Sequence, residues 1–413
     1  MAVSRKDKSG RVLRKGETQR KSDGMYVYTY TDPEGKRRSI YNKDIMELRK
    51  REEQLLKDQL DGLDAYAAGN STINYVFDRY MATKSELRGT TRRNYQYMYD
   101  RFIRKGFGKK KISSIKYSDV VTFYQLLLKE KGLQINTLET IHSVLHPTFQ
   151  LAVRDNIIRV NPSDGVMAQI KKQPGKNHGV RHALKREQQK AFINYVENSP
   201  TYYRWLSLFK FLLGTGCRIG EAIGIRWEDI DFENRAININ HSLVYYSTDY
   251  KDHPMCTFSI SLPKTNAGIR IIPMIDTVYD ILKDEYEYQL ENGFNETEID
   301  GMKGFIFTNR FGNVHNPQTV NRAIKRIYES YNAEEVVKAK KERREPVIIP
   351  HFSCHHMRHT FCSRLCEVET NLKVIQEIMG HANIETTMDI YAEVTDMKKQ
   401  ESMVNLAHKL DVF

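Results

Sequence analysis

Cysteine is scarce in this sequence, and no long apolar run is present. The five cysteines among 413 residues follow no spacing typical of a disulfide framework, which indicates free thiols in a reducing compartment. No stretch of about 20 apolar residues is available to cross a bilayer, and the basic N-terminal segment is not followed by the apolar stretch of a secretory signal. These absences argue against a disulfide-rich secreted domain and against a membrane protein, and we expect a cytoplasmic location.

Negative charge is also in deficit. Asp and Glu number 52 against 64 Lys and Arg, which gives a formal net charge of +12 and a pI near 9.2. A basic protein attracts polyanions, because its Lys and Arg side chains release the counterions condensed on phosphates. Nucleic acid is therefore the expected partner, and the chain length predicts two or three domains rather than a single hydrophobic core.

The N-terminal part of the chain combines positive charge with a short β-pattern. Residues 26–30 and 37–41 are rich in aromatic and β-branched side chains and flank a turn sequence at residues 32–35, which predicts a β-hairpin. A helix capped by Asn42 or Asp44 is expected to follow. We interpret this unit as a small α+β module that docks on DNA, and a solvated tail with a structural hairpin is the alternative.

Residues 71–168 carry four apolar patterns with a period close to 3.6 residues, which predicts an all-helical domain. Pro147 interrupts the last pattern, so we expect it to kink or break that helix. A basic, polar linker follows over residues 170–177. The basic side chains of this region form either a solvated face or a surface that contacts phosphates. The candidate DNA-binding residues are Arg92, Arg93, Lys109, Lys110, Lys171 and Lys172.

Between residue 180 and about residue 400, long helical patterns alternate with short strand patterns at residues 236–240, 257–261 and 269–273. Five separated features in this part bear side chains suited to phosphate chemistry. They are Arg218 with Glu221 three residues later, Lys264 near the turn of an expected hairpin, His355 with Arg358, His381 after Gly380, and Tyr391. Each feature alone is weak, because helical Arg–Glu pairs are common and mostly structural.

In this order and spacing, the five features resemble the signature of the tyrosine recombinases, and the resemblance extends over residues 71–400. Met357 stands where that family commonly has leucine. His356 and His359 crowd the third motif, where only the H-x-x-R spacing selects His355. The N-terminal unit looks like the arm-binding domain of lambda-type integrases, in particular of conjugative-transposon integrases.

The resemblance implies a multidomain fold: a small α+β N-terminal domain, an all-α core-binding domain of the SAM-like type, and a mixed, mainly α catalytic domain with a small β-sheet. The expected boundaries are 1–66 for the arm-binding-like domain, 71–168 for the core-binding domain, 180–400 for the catalytic domain and 401–413 for a C-terminal tail. The apolar residues of the tail have helical spacing, so it packs either on its own domain or on a neighbouring protomer.

The resemblance also implies a reaction, in which DNA strands of a mobile genetic element are cut and rejoined through a 3′-phosphotyrosyl intermediate without ATP or metal. Tyr391 is implied as the nucleophile, and Lys264 as the proton donor to the leaving 5′-oxygen. Arg218 and Arg358 are implied as phosphate clamps, with Glu221 as a supporting residue. His355 and His381 are implied as hydrogen-bonding groups, of which His355 is the better acceptor for the tyrosine proton. The implied partners are double-stranded DNA with core and arm sites and a homotetramer assembled on it, and an excision accessory protein is a further candidate.

Three other interpretations use the same residues. A structural zinc ion could bind the histidines and cysteines between residues 354 and 366, but on a helix these side chains point in several directions and no second ligand pair follows. We therefore expect no metal. A type IB topoisomerase would use similar cleavage chemistry as a monomer without exchanging strands. A DNA-binding regulator without catalysis would act independently of Tyr391.

Overall fold

The computed structural model describes residues 5–32, 35–60, 71–172, 183–247, 256–263 and 266–394. The chain divides into two compact units, Met1–Gly179 and Val180–Phe413. Within the described ranges, no helix is both long enough and apolar enough to cross a membrane.

The N-terminal unit begins with a small antiparallel sheet in the order β1-β2-β3. Its elements are β1 (Glu17–Gln19), β2 (Tyr26–Thr31), β3 (Arg37–Asn42) and the helix α1 (Ile45–Leu60). Strands β2 and β3 form the hairpin predicted from the sequence.

Helix α1 begins after Asp44, whose side chain accepts a hydrogen bond from the backbone N–H of Met46 at 2.7 Å. Of the two expected caps, Asp44 therefore makes the contact that satisfies a free N–H in the first turn. Helix and sheet share a core that contains Tyr26, Ile45 and Leu48.

An all-helical region follows in the same unit. Its helices are α2 (Ile73–Ala82), α3 (Gly89–Tyr99), α4 (Tyr117–Lys129), α5 (Ile135–Arg154) and α6 (Val166–Lys171), and a π-helical turn, Asp100–Arg104, extends α3. Helix α5 is not broken at Pro147. Proline removes only one backbone donor, and the buried Leu145 and Phe149 on either side hold the helix against the core.

The C-terminal unit is mainly helical and has two small sheets. Its helices are α7 (Arg186–Glu197), α8 (Leu206–Thr215), α9 (Ile219–Gly224), α10 (Asp276–Asn292), α11 (Pro317–Glu342), α12 (Cys354–Val368) and α13 (Leu372–Met379), followed by α14, residues 385–394. Its strands are β4 (Ile230–Asp231), β5 (Ala236–Ile239), β6 (Ser242–Ser247), β7 (Cys256–Ser261) and β8 (Arg270–Pro273). Strands β4, β5 and β8 form one antiparallel sheet, and β6 and β7 form the other.

Two hydrophobic clusters organise the C-terminal unit. The larger joins helices α7 to α12 with the sheet around buried aromatic residues such as Phe192, Phe209 and Phe305. The smaller lies between α12, α13 and α14 and contains Cys362 and Ile375. The multidomain α+β, all-α and mixed arrangement predicted from the sequence is confirmed, with two small sheets in the last unit instead of one.

Candidate active site

Arg218 and Glu221 meet at the beginning of α9, as their spacing suggests. The guanidinium of Arg218 donates to Glu221 at 2.7 Å, and the same carboxylate accepts the backbone N–H of Arg218 at 2.9 Å. Glu221 is buried, whereas the side chain of Arg218 is 44% exposed. The carboxylate therefore anchors an arginine that remains open to a ligand.

Arg358 lies on α12 and is only 4% exposed. Its guanidinium donates to the backbone carbonyls of Gly216, at 2.7 Å, and Met379. The pKa of Arg358 is lowered to about 10, mainly by burial and also by the positive charges of Arg218 and Arg270. The group is still protonated at pH 7, so a buried positive charge lies beside the exposed one.

The two arginines are cross-braced by backbone carbonyls of glycines that are distant in sequence. Arg218 donates to the carbonyl of Gly380 at 2.8 Å, across 162 positions of sequence, and Arg358 reaches Gly216 across 142. Both glycines end helices with a positive φ of 63°, a conformation that favours glycine and turns helix-end carbonyls outward. The carbonyl ends of α8 and α13 therefore hold the two cations in place.

Each glycine is also closely packed. A Cβ atom at Gly216 would lie 2.3 Å from the ring of Phe361, and one at Gly380 would lie 3.0 Å from the Arg270 side chain. A side chain at Gly216 would require the ring of Phe361 to move, and one at Gly380 would fit only tightly against Arg270. In the Gly-His motif, the glycine therefore has its own structural role, which is to end helix α13 before the histidine.

His381 follows directly and is buried at 8% exposure. Its Nδ1 and the hydroxyl of Thr387 are 2.9 Å apart. Burial, followed by the charges of Arg358, Arg218 and Arg270, lowers the pKa of His381 to about 4. The imidazole is therefore neutral at pH 7, and it can hydrogen-bond to a phosphate oxygen without adding charge.

Tyr391 lies on α14 and is partly buried against the smaller hydrophobic cluster. Polar contacts, in addition to apolar packing, attach this helix to its own chain. Among the described residues they include the His381–Thr387 hydrogen bond and a contact of 3.9 Å between His359 Nε2 and Glu393. In this structure the candidate nucleophile is therefore carried beside the His-x-x-Arg helix of the same molecule.

The three histidines of α12 have different surroundings. His355 is exposed near the beginning of the helix and contributes to the electrostatic environment of His381. His356 accepts hydrogen bonds from the backbone N–H and hydroxyl of Ser353 through Nδ1, at 3.2 and 3.0 Å, and so caps the helix. His359 faces Glu393. Among the three, only His355 is exposed, so that a large ligand can reach it.

Lys264 lies outside the residues that the structure describes. The expected hairpin around it is wrong, because β7 pairs with β6 whereas β8 pairs with β5. The alternation of apolar residues predicts that both segments are strands, but it does not specify which strands pair.

Arg270 is a site residue that sequence reasoning missed. It begins β8 and is 8% exposed, and it donates two hydrogen bonds to Glu221, at 2.8 and 3.3 Å. Its position in the strand explains the need for this partner. Arg270 and Ile272 are both buried, in alternation with Ile271 and Pro273, so the arginine occupies an inward position of the strand and needs a buried partner.

The cysteines and histidines of the zinc alternative have other contacts. Cys362 and Cys366 pack in the smaller hydrophobic cluster, Cys354 packs in the larger one, and His356 caps its helix. Within the described ranges, no group of three or more His, Cys, Asp or Glu side chains could hold a metal ion.

The candidate DNA-binding residues lie on several elements of the N-terminal unit. Arg92 and Arg93 are on α3, and Arg92 is exposed. Lys109 and Lys110 are exposed at a 3-10 turn that follows α3. Lys172 is exposed at the end of α6, while Lys171 is paired with Glu139.

Three family models match the chain. Residues 178–398 match the phage integrase family, residues 72–128 match the N-terminal SAM-like domain of phage integrases, and residues 1–59 match the DNA-binding domain of the Tn916 integrase. Because the first model covers more than half of the chain, the protein belongs to the phage integrase family.

Relatives and solved structures narrow the class. The chain is 31% identical to the transposases of transposon Tn916 from Enterococcus faecalis and of transposon Tn1545 from Streptococcus pneumoniae, over 96% of this chain and 95% of each relative. It is similar to the Tn1549 transposon integrase solved with transposon right-end DNA, with 28% identity and a TM-score of 0.68 over 82% of this chain and all of the other. The protein is a tyrosine-type site-specific recombinase of the conjugative-transposon kind.

Proposed function

We propose that this recombinase cleaves DNA of a conjugative transposon by attack of Tyr391 on a phosphodiester held between Arg218 and Arg358. The observation that carries the proposal is the cross-bracing of these two arginines. A guanidinium has five N–H donors. Within the described residues, each of the two donates two hydrogen bonds to protein acceptors, which leaves three N–H groups on each for phosphate oxygens.

The bound phosphate gains negative charge as the nucleophile approaches, and fixed cations stabilise that charge most where water is excluded. Arg358 would contact the phosphate from the buried side of the site, and Arg218 from the exposed side. His381 adds a hydrogen bond. When Thr387 donates its hydroxyl proton to Nδ1, the proton of the neutral ring lies on Nε2, from which it can donate to a phosphate oxygen.

The covalent step is a transfer at phosphorus. The hydroxyl oxygen of Tyr391 bonds to phosphorus while the bond to the 5′-oxygen breaks, and the product is a 3′-phosphotyrosyl ester and a free 5′-hydroxyl. His355 accepts the tyrosine proton, and Lys264 donates a proton to the leaving oxygen. Glu221 fixes Arg218. A 5′-hydroxyl from another strand reverses the step and rejoins the DNA, so neither ATP nor a metal ion is consumed.

The partners follow from this reaction. Exchange between two duplexes needs four cuts, so we propose a homotetramer assembled on double-stranded core sites. Residues 1–66 would bind arm sites, residues 71–168 and the candidate basic residues would grip the core DNA, and residues 180–400 would carry the chemistry. An excision accessory protein is a further part of this proposal.

A trapping assay tests the function. The full chain is mixed with a nicked duplex that carries the joined ends of the element encoding the protein. The nick makes the fragment that bears the new 5′-hydroxyl short, so that it diffuses away after cleavage. We expect a slowly migrating protein–DNA band on a denaturing gel, with label retained on the 3′-phosphate side and a free 5′-hydroxyl on the released strand.

Strand exchange separates the alternatives in the same experiment. When a second, unlabelled duplex is added, a recombinase yields hybrid strands. A type IB topoisomerase-like enzyme would relax supercoiled plasmid but join no strands from different duplexes. A DNA-binding regulator would retard the duplex on a native gel without leaving a covalent band.

We expect Lys109→Gln with Lys110→Gln to weaken binding to duplex DNA without base preference. Each lost phosphate contact removes about 1 unit from the slope of log affinity against log salt, so the slope should flatten by about 2. The control is the double change of Lys210 and Lys303 to glutamine, which removes equal charge from lysines each paired with a glutamate at 2.9 Å. Equal slopes for both double variants would show that these lysines do not contact phosphates.

A further inference from the structure

Arg270 has no role in the mechanism above, yet it is one of the buried charged residues of the C-terminal unit. A buried guanidinium is costly unless acceptors surround it. Here Nη2 and Nη1 donate to the Glu221 carboxylate at 2.8 and 3.3 Å, and Nε donates to the backbone carbonyl of Ile378 at 2.8 Å. One side chain therefore connects strand β8 to two separate parts of the site.

The first connection runs through Glu221. Its carboxylate lies between Arg270 and Arg218. The charge of this carboxylate also acts on Arg358 and Cys217. Burial alone would raise the pKa of Glu221, but the hydrogen bonds and charge of Arg270, together with Arg218, lower it to about 2. The carboxylate is thus ionised and held from both sides.

The second connection runs through the end of α13. Residues 378–381 contain the carbonyl that accepts from Arg270, the Met379 carbonyl that accepts from Arg358, and the Gly380 carbonyl that accepts from Arg218. Gly380 also packs directly on Arg270, because a Cβ there would lie 3.0 Å from its Cδ and Nη1 atoms. A shift of Arg270 would therefore move the acceptors of both phosphate-binding arginines.

We propose that Arg270 is a positioning residue for strand cleavage, which orients Arg218 through Glu221 and fixes the 378–381 turn that holds both arginines. This inference rests on the proposed function of Arg218 and Arg358. It predicts that loss of the Arg270 geometry slows cleavage without weakening DNA binding, since Arg270 is buried and its hydrogen bonds are to protein groups.

The test compares Arg270→Lys with wild type in single-turnover cleavage of the nicked duplex by the full chain. Lysine keeps the charge but cannot reach the carboxylate with a two-pronged hydrogen bond and Ile378 at once. We expect a rate about 10- to 100-fold lower, with unchanged affinity for the duplex and an unchanged fraction of DNA finally cleaved. A purely structural role would instead lower the cleaved fraction, because unfolded molecules do not react while folded ones keep the wild-type rate.

Arg344→Lys is the matched control, because Arg344 also donates two hydrogen bonds to a buried glutamate, Glu335, and its other hydrogen bonds within the described residues are to Glu342 and the Glu345 carbonyl, outside the site. It should cleave at the wild-type rate. If Arg270→Lys does not fold, Glu221→Gln takes its place, since it keeps the contact of Arg270 with Ile378 and replaces the charged link between Arg270 and Arg218 with a neutral amide. A wild-type rate in whichever of these two variants is folded would overturn the inference.

Covalent trapping of wild type and Tyr391→Phe beside Arg270→Lys separates this inference from the function on which it rests. If wild type forms a covalent band that Tyr391→Phe lacks, and Arg270→Lys matches wild type, only the positioning role fails. If wild type itself binds the duplex and forms no covalent band, the proposed function fails and this inference fails with it.

Discussion

Tyr391→Phe is expected to abolish the covalent protein–DNA band while leaving DNA binding unchanged. The substitution removes one oxygen from a partly buried ring that packs against the cluster between α12, α13 and α14, so the fold is kept. Loss of a nucleophile costs on the order of 10⁶-fold in other covalent enzymes, which places cleavage below detection. The measurement is the trapping assay, with a native gel on the same samples.

The control for this change is another tyrosine to phenylalanine substitution in the same unit. Tyr288 is 62% exposed on α10, and Tyr288→Phe should cleave at the wild-type rate. A covalent band that persists in Tyr391→Phe would mean that another side chain attacks the phosphate.

Arg358→Lys is expected to have the next largest effect. Lysine cannot bridge the carbonyls of Gly216 and Met379 while presenting a planar pair of donors to phosphate. Loss of one preorganised donor at a developing negative charge costs about 10²- to 10³-fold in rate. Buried carbonyls that lose a partner should also lower the free energy of unfolding by about 1 to 3 kcal/mol. Single-turnover cleavage and thermal unfolding measure the two effects separately.

Arg364→Lys controls for the stability effect. Arg364 lies on the same helix and likewise donates to the carbonyl of a distant residue, Leu184, at 2.8 Å, but it is not a site residue. It should lose stability and keep the cleavage rate. If Arg358→Lys and Arg364→Lys cleave equally well, Arg358 does not bind the reacting phosphate.

The order and spacing of chemically distinctive residues made the family visible in the sequence. Arg218 with Glu221 and His355 with Arg358 are local pairs, and helical spacing is enough to bring each pair to one helix. The apolar periodicities likewise predict the helices of residues 71–168 and the hairpin of β2 and β3, because both depend on neighbours in the chain.

Long-range bracing was not accessible in this way. The contacts of Arg218 with Gly380 and of Arg358 with Gly216 depend on where two helices end in space, and a single sequence carries no record of that. The pairing of β7 with β6 rather than β8 has the same cause. The contact of Arg270 with Glu221 is likewise long-range, because the two residues lie 49 positions apart.

The central claim is that Tyr391 forms the covalent bond to DNA, and the most direct measurement is identification of the attached residue. The trapped adduct is digested with protease and nuclease, and the modified peptide is sequenced by mass spectrometry. We expect a nucleotide joined through its 3′-phosphate to Tyr391. A nucleotide attached to any other residue, or joined through a 5′-phosphate, would contradict it.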